Sequence, residues 1–306
     1  MLERVVVGVD FSDPSIAAVL WTARHLAPDA ELMLVHAIDV PEPPAFLRGR
    51  FPPRQVLVES ARAGAAERLR SLVASLGIER ARHEIRVGPA SDAIEEVARE
   101  ARAELIVIGK HGARSGLWHG LGSTAERLSR CTSVPILLAT GMRDARPERL
   151  LVAVDDDDVT DWVLGWARRL AMTLGARVTL IHVVSAAILT HVLSMASIGA
   201  GGDAPAETLV ANEFRDEADR WLRRLAPNEL RLGTPNFVTA AGNPAEEILA
   251  AAERLGSDLI VVGSRQPGRI RRALLGSTAR EILHRARRPV LVVKEPADGP
   301  FTPPAA

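Results

Sequence analysis

The chain opens on an apolar run, Val5-Val6-Val7-Gly8-Val9, and similar runs recur at "LMLVHA" (32–37), "LIVIG" (105–109) and "PILLA" (135–139). Little polar alternation interrupts them, so each reads as a strand buried on both faces of a parallel sheet. Longer segments between them carry apolar residues at helical spacing. In 91–104 these are Ile94, Val97, Ala98 and Ala101, with Ser91 or Asp92 as the expected cap. Segment 244–258 repeats the period, with Pro244 near its start and Gly256 past its end. Strand and helix alternating in this way predict a doubly wound α/β fold of about five strands.

The pattern is written twice. "VVVGVD" (5–10) returns as "LLVAVD" (150–155), "LMLVHA" as "VTLIHV" (178–183), and "ELIVIG" (104–109) as "DLIVVG" (258–263). "GLGSTAERL" (120–128) returns as "LLGSTAREI" (274–282). The intervals match as well: Gly88–Gly109 equals Gly242–Gly263, Gly109–Gly122 equals Gly263–Gly276, and Gly122–Pro135 equals Gly276–Pro289. A tandem duplication follows. Its expected domains span 1–142 and 147–295, joined near "GMRDARPE" (141–148), with a disordered tail at 296–306. Two insertions interrupt the regularity, a proline-rich one at 39–55 and a small-residue one at 185–206.

Composition narrows the class without changing the architecture. With 306 residues, 47% apolar and 25% charged, each half can bury its own core. Lys plus Arg equal Asp plus Glu at 38 each, so no net field draws the chain to nucleic acid or to an anionic membrane. The lone Cys131 excludes an intrachain disulfide and suits a reducing compartment. The first strand begins at once, leaving no room for a signal peptide, and the apolar part of 186–202 is too short to span a bilayer. A cytoplasmic location is the expectation.

The chemistry concentrates after the third of these apolar runs, in "GKHGARSGLWHGLGST" (109–124), with five glycines between Gly109 and Gly122. Ligands of an open parallel sheet bind beyond the carboxyl ends of its strands, where the strand order reverses. Gly122-Ser123-Thr124 then opens a helix, whose unpaired amides and positive dipole end suit phosphate. Glycines let loop amides close on phosphate oxygens. Lys110, His111 and Arg114 add cationic groups, with solvated loop cations as the plain alternative. A Walker loop is absent, and the glycines do not follow the first strand as a dinucleotide fingerprint does. His111 and His119 are weak as a metal pair. His36 and His182 read as satisfied strand-end histidines.

The pattern Gly109-x2-Gly112-x9-Gly122-Ser123 resembles the motif of the ATP-binding universal stress proteins, G-x2-G-x9-G-[ST]. "GVDFS" ending the first strand, "LVHA" ending the second and "VPILL" as the last agree with that family, and the resemblance covers nearly the whole chain as two consecutive domains. It implies the fold of that family and of the related adenine nucleotide α-hydrolases, whose S-G-G-x-D-S loop is missing here. It also implies ATP as the ligand, with or without Mg²⁺. Asp10, with the backbone around Val9 and Ala37, would hold adenine and ribose. Ile108 would pack on the nucleoside, and Gly109, Lys110, Gly112, Gly122, Ser123 and Thr124 would hold the triphosphate. For Asp10, and equally for Ser12, a helix cap before "DPSIAAVLW" stays open as the alternative.

The matching positions of the second copy are Asp155, Val183, Gly263, Gly276, Ser277 and Thr278, but Gln266 replaces the second loop glycine and Pro267 follows it. Asp156, Asp157 and Asp158 are expected to crowd its pocket mouth with negative charge, against the arginines Arg265, Arg269, Arg271 and Arg272. The first domain is therefore read as the ATP-competent one and the second as degenerate. The resulting expectation is a nucleotide-dependent stress-response or regulatory protein. Slow ATP hydrolysis or autophosphorylation through Ser123, Thr124, Lys110 or Asp10 is an alternative, and a nucleotide-free scaffold is another. The apolar last strands, "PILLA" and "PVLVV", are edges expected to pair the two domains, or two chains as a homodimer.

Overall fold

A computed structural model of the chain describes residues 2–40, 46, 50, 52–78, 80–112, 120–142, 144–187, 190, 204–225, 235–264 and 275–295. It divides into two compact units, the first Met1–Ala145 and the second beginning at Arg146. The first runs β1 (Arg4–Gly8), α1 (Asp13–Trp21), β2 (Glu31–Ile38), α2 (Arg54–Leu76), β3 (Ala81–Val87), α3 (Ala90–Glu100), β4 (Leu105–Gly109), α4 (Ser123–Cys131) and β5 (Ile136–Ala139). The second runs β6 (Arg149–Ala153), α5 (Thr160–Leu174), β7 (Arg177–Ser185), α6 (Ala204–Leu225), β8 (Asn236–Gly242), α7 (Pro244–Arg254), β9 (Leu259–Gly263), α8 (Ser277–Arg285) and β10 (Val290–Val293).

Each unit builds one parallel sheet by the same route. The first has the order β3-β2-β1-β4-β5 and the second β8-β7-β6-β9-β10. The direction of winding reverses between β1 and β4, and again between β6 and β9. That reversal opens a crevice at the carboxyl ends of the central strands.

Burial explains why these runs are strands and why they are central. Val5, Val6 and Val7 are at most 1% exposed, and Leu105 through Ile108 at most 2%. Such residues need cover on both faces, and successive side chains of β4 find it. Ile108 lies on the face where Ile94 of α3 also packs beneath Gly8, whereas a Cβ on Gly109 would point to Pro14 and Ser15 of α1. The edge strand β3 accordingly carries exposed polar residues such as Arg82 and His83.

Helix ends follow the sequence signals with one correction. Asn243 caps α7 through Ala245 and Glu246 amides, Pro244 sits in its first turn, and Gly256 follows its end at φ +59°. The other amphipathic helix, α3, is not capped by Ser91 or Asp92. It begins one residue earlier, at Ala90, and Pro89 stands at its cap position with no side-chain cap. The fixed φ of proline presets that entry. The insertions at 39–55 and 185–206 fall mostly outside the described residues, and the tail at 296–306 wholly so. Among the described residues no helix is long and apolar enough to cross a membrane.

Candidate functional site

Four short segments of the first unit meet at the crevice: the ends of β1 and β4, the start of α1 and the start of α4. Leaving β1, Val9 spends both backbone groups inside the fold. Its amide donates to the Val35 carbonyl at 2.8 Å, and its carbonyl accepts from His36 Nδ1 at 2.7 Å. His36 is thus a satisfied strand-end histidine. Asp10 follows, exposed at the carboxyl edge of the sheet.

The competition between capping and binding at Asp10 resolves through Ser12. Ser12 is the N-cap of α1, its hydroxyl accepting from the Ser15 amide at 3.4 Å. Asp10 Oδ1 accepts from the Ser12 amide at 3.0 Å and from its hydroxyl at 2.5 Å. Asp10 therefore braces the cap rather than being it, and the brace fixes its carboxylate in one orientation.

Across the crevice, the glycine loop is tied at its base. The Lys110 amide donates to the Ala139 carbonyl at 2.9 Å, and the Gly122 amide donates to the Lys110 carbonyl at 3.0 Å. At two glycines here a side chain would crowd its neighbours. A Cβ on Gly112 would lie 2.6 Å from Asp10 Oδ2, and one on Gly122 would lie 3.1 Å from the Lys110 carbonyl oxygen. The first separation is shorter than any ordinary carbon–oxygen contact, so Gly112 and Asp10 define the crevice jointly.

Gly122 enters α4 with extended backbone and no side-chain cap, and the first helical bond runs from the Glu126 amide to the Gly122 carbonyl at 2.8 Å. The amides of Ser123, Thr124 and Ala125 are therefore the orphan donors of the first turn, directed at the crevice with the positive dipole end behind them. Lys110 is not the solvated loop lysine that its position suggested. It is 5% exposed, and burial pushes its ammonium below the usual lysine range.

The structure thus brings Asp10, Lys110, Gly112, Gly122, Ser123 and Thr124 of the first domain together with Gly109 beneath them. Ala37 stands half-buried near the end of β2, in register with Arg86. Ile108 is 2% exposed, and its Cγ2 lies beneath Gly8 in the sheet interior rather than on the open crevice.

An aromatic layer that the sequence reading missed flanks this crevice. Phe11 holds a left-handed backbone at φ +62°, its ring centroid 4.7 Å from that of His36 and 3.9 Å from the Arg68 guanidinium carbon. In the second unit Trp221 faces His182 with centroids 5.0 Å apart. Aligning the two fully buried leucines Leu69 and Leu222 puts Arg68 and Trp221 at equivalent positions, which is the signal that could have found them.

The second unit repeats the frame with different detail. The Val154 amide donates to the Ile181 carbonyl at 3.0 Å, and the Val154 carbonyl accepts from His182 Nδ1 at 3.1 Å. Val183 is in register with Ala240 on β8. Asp155 lies exposed like Asp10, but its Oδ1 accepts from the Asp156 amide at 3.0 Å instead of bracing a serine. Asp157 does not add to a cluster of open acids at the pocket mouth. Its Oδ1 accepts from the Val159 amide at 3.1 Å and the Thr160 hydroxyl at 3.2 Å, a local tie at the head of α5.

At the other strand end, Ser264 replaces Lys110 after Gly263, and its buried hydroxyl accepts from the Gly276 amide at 3.3 Å. Ser277 and Thr278 open α8, again without a side-chain cap. Gln266, Pro267 and the arginines between 265 and 272 lie outside the described residues, as do Arg114 and His119.

A groove of about 750 Å³ exists at the opposite, amino ends of β1–β3. Its lining is spent on internal contacts: Arg82 pairs with Glu31 at 2.9 Å and Arg80 donates to the Asp29 carbonyl at 2.9 Å. Among the described residues no three His, Cys, Asp or Glu side chains converge as a metal set.

Comparison with known proteins agrees with the duplication. The family model described as "Universal stress protein family" matches residues 1–140 and again 147–294. A universal stress protein of Mycobacterium tuberculosis strain H37Rv is 28% identical over 310 residues, covering 95% of this chain and 96% of its own. A universal stress protein of Bacillus subtilis is 30% identical over 149 residues, 48% of this chain and 98% of its own. The crystal structure of a universal stress protein from Archaeoglobus fulgidus shares the fold, with a TM-score of 0.64 at 19% identity over 95% of this chain and 98% of that one.

Proposed function

The chain belongs to the universal stress protein family, and from that premise we propose that its first domain binds ATP, the bound nucleotide setting a conformation for a role in the stress response. The observation that carries this reading is the joint fit of Asp10 and Gly112, the Asp10 Oδ2 lying 2.6 Å from where a Cβ on Gly112 would stand, opposite the uncapped first turn of α4. A fixed carboxylate suits ribose hydroxyls or an exocyclic amine. Orphan amides behind a glycine cradle suit phosphate.

ATP fits what is present: a Cβ at Gly122 would crowd the Lys110 carbonyl oxygen at 3.1 Å, and Ser123 and Thr124 add hydroxyls beside the amides. Gly109, Gly112, Gly122, Ser123 and Thr124 would hold the phosphates, and Asp10 the nucleoside. Ala37 would border the base, its backbone and the second lone pair of the Val9 carbonyl serving as the polar contacts, since the Val9 amide is already bonded. The second domain keeps Gly263, Gly276, Ser277 and Thr278 without the paired Asp–Gly relation, and is read as the weaker or silent site.

Calorimetry with two ligands tests the division of labour. Asp10→Ala should weaken ATP binding by about tenfold, a loss of roughly 1.4 kcal/mol for a charge-assisted hydrogen bond, and leave inorganic triphosphate unaffected. Equal losses for both ligands would assign Asp10 to the α1 cap alone.

A further inference from the structure

We propose that Phe11 is a positioning residue of the first domain's nucleotide site, its ring clamped by Arg68 and His36 so that Asp10 faces Gly112. The inference rests on the nucleotide reading above and concerns what aims the carboxylate. Asp10 Oδ1 reaches past Phe11 to the Ser12 amide at 3.0 Å and hydroxyl at 2.5 Å, so the backbone of Phe11 sets the turn. That backbone stands at φ +62°, a left-handed conformation that suits glycine and strains a bulky residue. Something outside the turn must hold it there.

The ring supplies the hold. Phe11 is half-buried, with the His36 ring centroid 4.7 Å and the Arg68 guanidinium carbon 3.9 Å from its own centroid. Both partners are themselves fixed. His36 Nδ1 is bonded to the Val9 carbonyl at 2.7 Å, and Arg68 precedes Leu69, which α2 buries completely. A guanidinium over an aromatic face is attracted by the ring quadrupole, and packing of the ring on His36 adds to the hold. The side chain thus offsets a strain that glycine at this position would not carry.

The second copy shows the turn without the clamp. Asp156 stands where Phe11 does, and among the described residues Phe11 and Arg102 alone of the non-glycines have positive φ. The aromatic comes from the helix instead: Trp221, at the position of Arg68, faces His182 with centroids 5.0 Å apart. Asp155 Oδ1 then accepts from the next amide, that of Asp156, at 3.0 Å, and not from the amide two residues on. The tie of the carboxylate changes together with the aromatic that covers the histidine.

Calorimetry of the full chain with ATP and with inorganic triphosphate tests the clamp. Phe11→Gly keeps the left-handed backbone within easy reach and removes the ring. It should lose about tenfold in ATP affinity, as Asp10→Ala does, and bind triphosphate as the wild type does. Phe11→Tyr should recover most of that loss, and Phe11→Gly should add little to Asp10→Ala, because it acts through that carboxylate. Arg68→Ala, at an exposed position of α2, should weaken ATP binding by about threefold and leave triphosphate unchanged. Undiminished ATP binding by Phe11→Gly, equal losses for both ligands, or additive losses with Asp10→Ala would each overturn the role of Phe11 and leave the ATP site standing. If Phe11→Gly fails to fold, Arg68→Ala decides, and unchanged ATP affinity in that variant overturns the clamp. A wild type that does not bind ATP would remove the nucleotide reading itself.

Discussion

Gly112 and Asp10 compete for one volume: a Cβ on the glycine would lie 2.6 Å from Asp10 Oδ2. The carboxylate cannot retreat cheaply, because its other oxygen is held by Ser12 at the head of α1. Even one methyl group at 112 should therefore act through Asp10. Gly112→Ala and Asp10→Ala are expected to lower ATP affinity to a similar degree, about tenfold each, and the double variant little further. Additive losses in a double-mutant cycle measured by calorimetry would show that the two residues serve the ligand independently.

Gly122 presents the opposite wall. A Cβ there would meet the Lys110 carbonyl oxygen at 3.1 Å, and the branched side chain of valine would add bulk over the orphan amides of α4. Gly122→Val should abolish detectable ATP binding while the circular dichroism spectrum stays that of the wild type. Retained affinity would remove the glycine cradle from the binding site.

Lys110 should cost the empty protein stability. Its folded-state pKa is lowered by burial from 10.5, so the unfolded chain binds more protons between the lowered value and 10.5. The penalty is present in full below the lowered value and fades as pH rises toward 10.5. Lys110→Met should accordingly raise the nucleotide-free melting temperature near neutral pH by about 2 °C. The gain should shrink in alkaline buffer. A lower melting temperature at pH 7 would mean that the lysine stabilises the resting fold.

Much of this was legible in the letters. The duplicated runs and intervals set two parallel-sheet domains, because strands buried on both faces leave a continuous apolar signature. The family resemblance assigns Asp10 and the glycine loop to one site, and the structure makes β1 and β4, which end at Gly8 and Gly109, neighbours in the sheet. What escaped depended on side-chain direction. Gly112 reads as a phosphate-loop glycine, but the atom nearest its missing Cβ belongs to Asp10. Lys110 reads as a solvated loop cation, but the turn back to Gly122 buries it. Asp157 reads as part of an acidic run, yet it satisfies the Val159 amide and the Thr160 hydroxyl, a pairing two and three residues away that charge counting does not reveal. Phe11, in left-handed backbone without being glycine, left no mark on the sequence at all.

Stoichiometry decides whether the nucleotide belongs to the first domain. Titration of the purified chain with ATP should saturate at about one nucleotide per chain, and Gly112→Gln, copying Gln266 of the second domain, should leave no high-affinity binding. Saturation at two per chain in the wild type, no binding at all, or undiminished binding by Gly112→Gln would each contradict a single site built by Asp10 and Gly112.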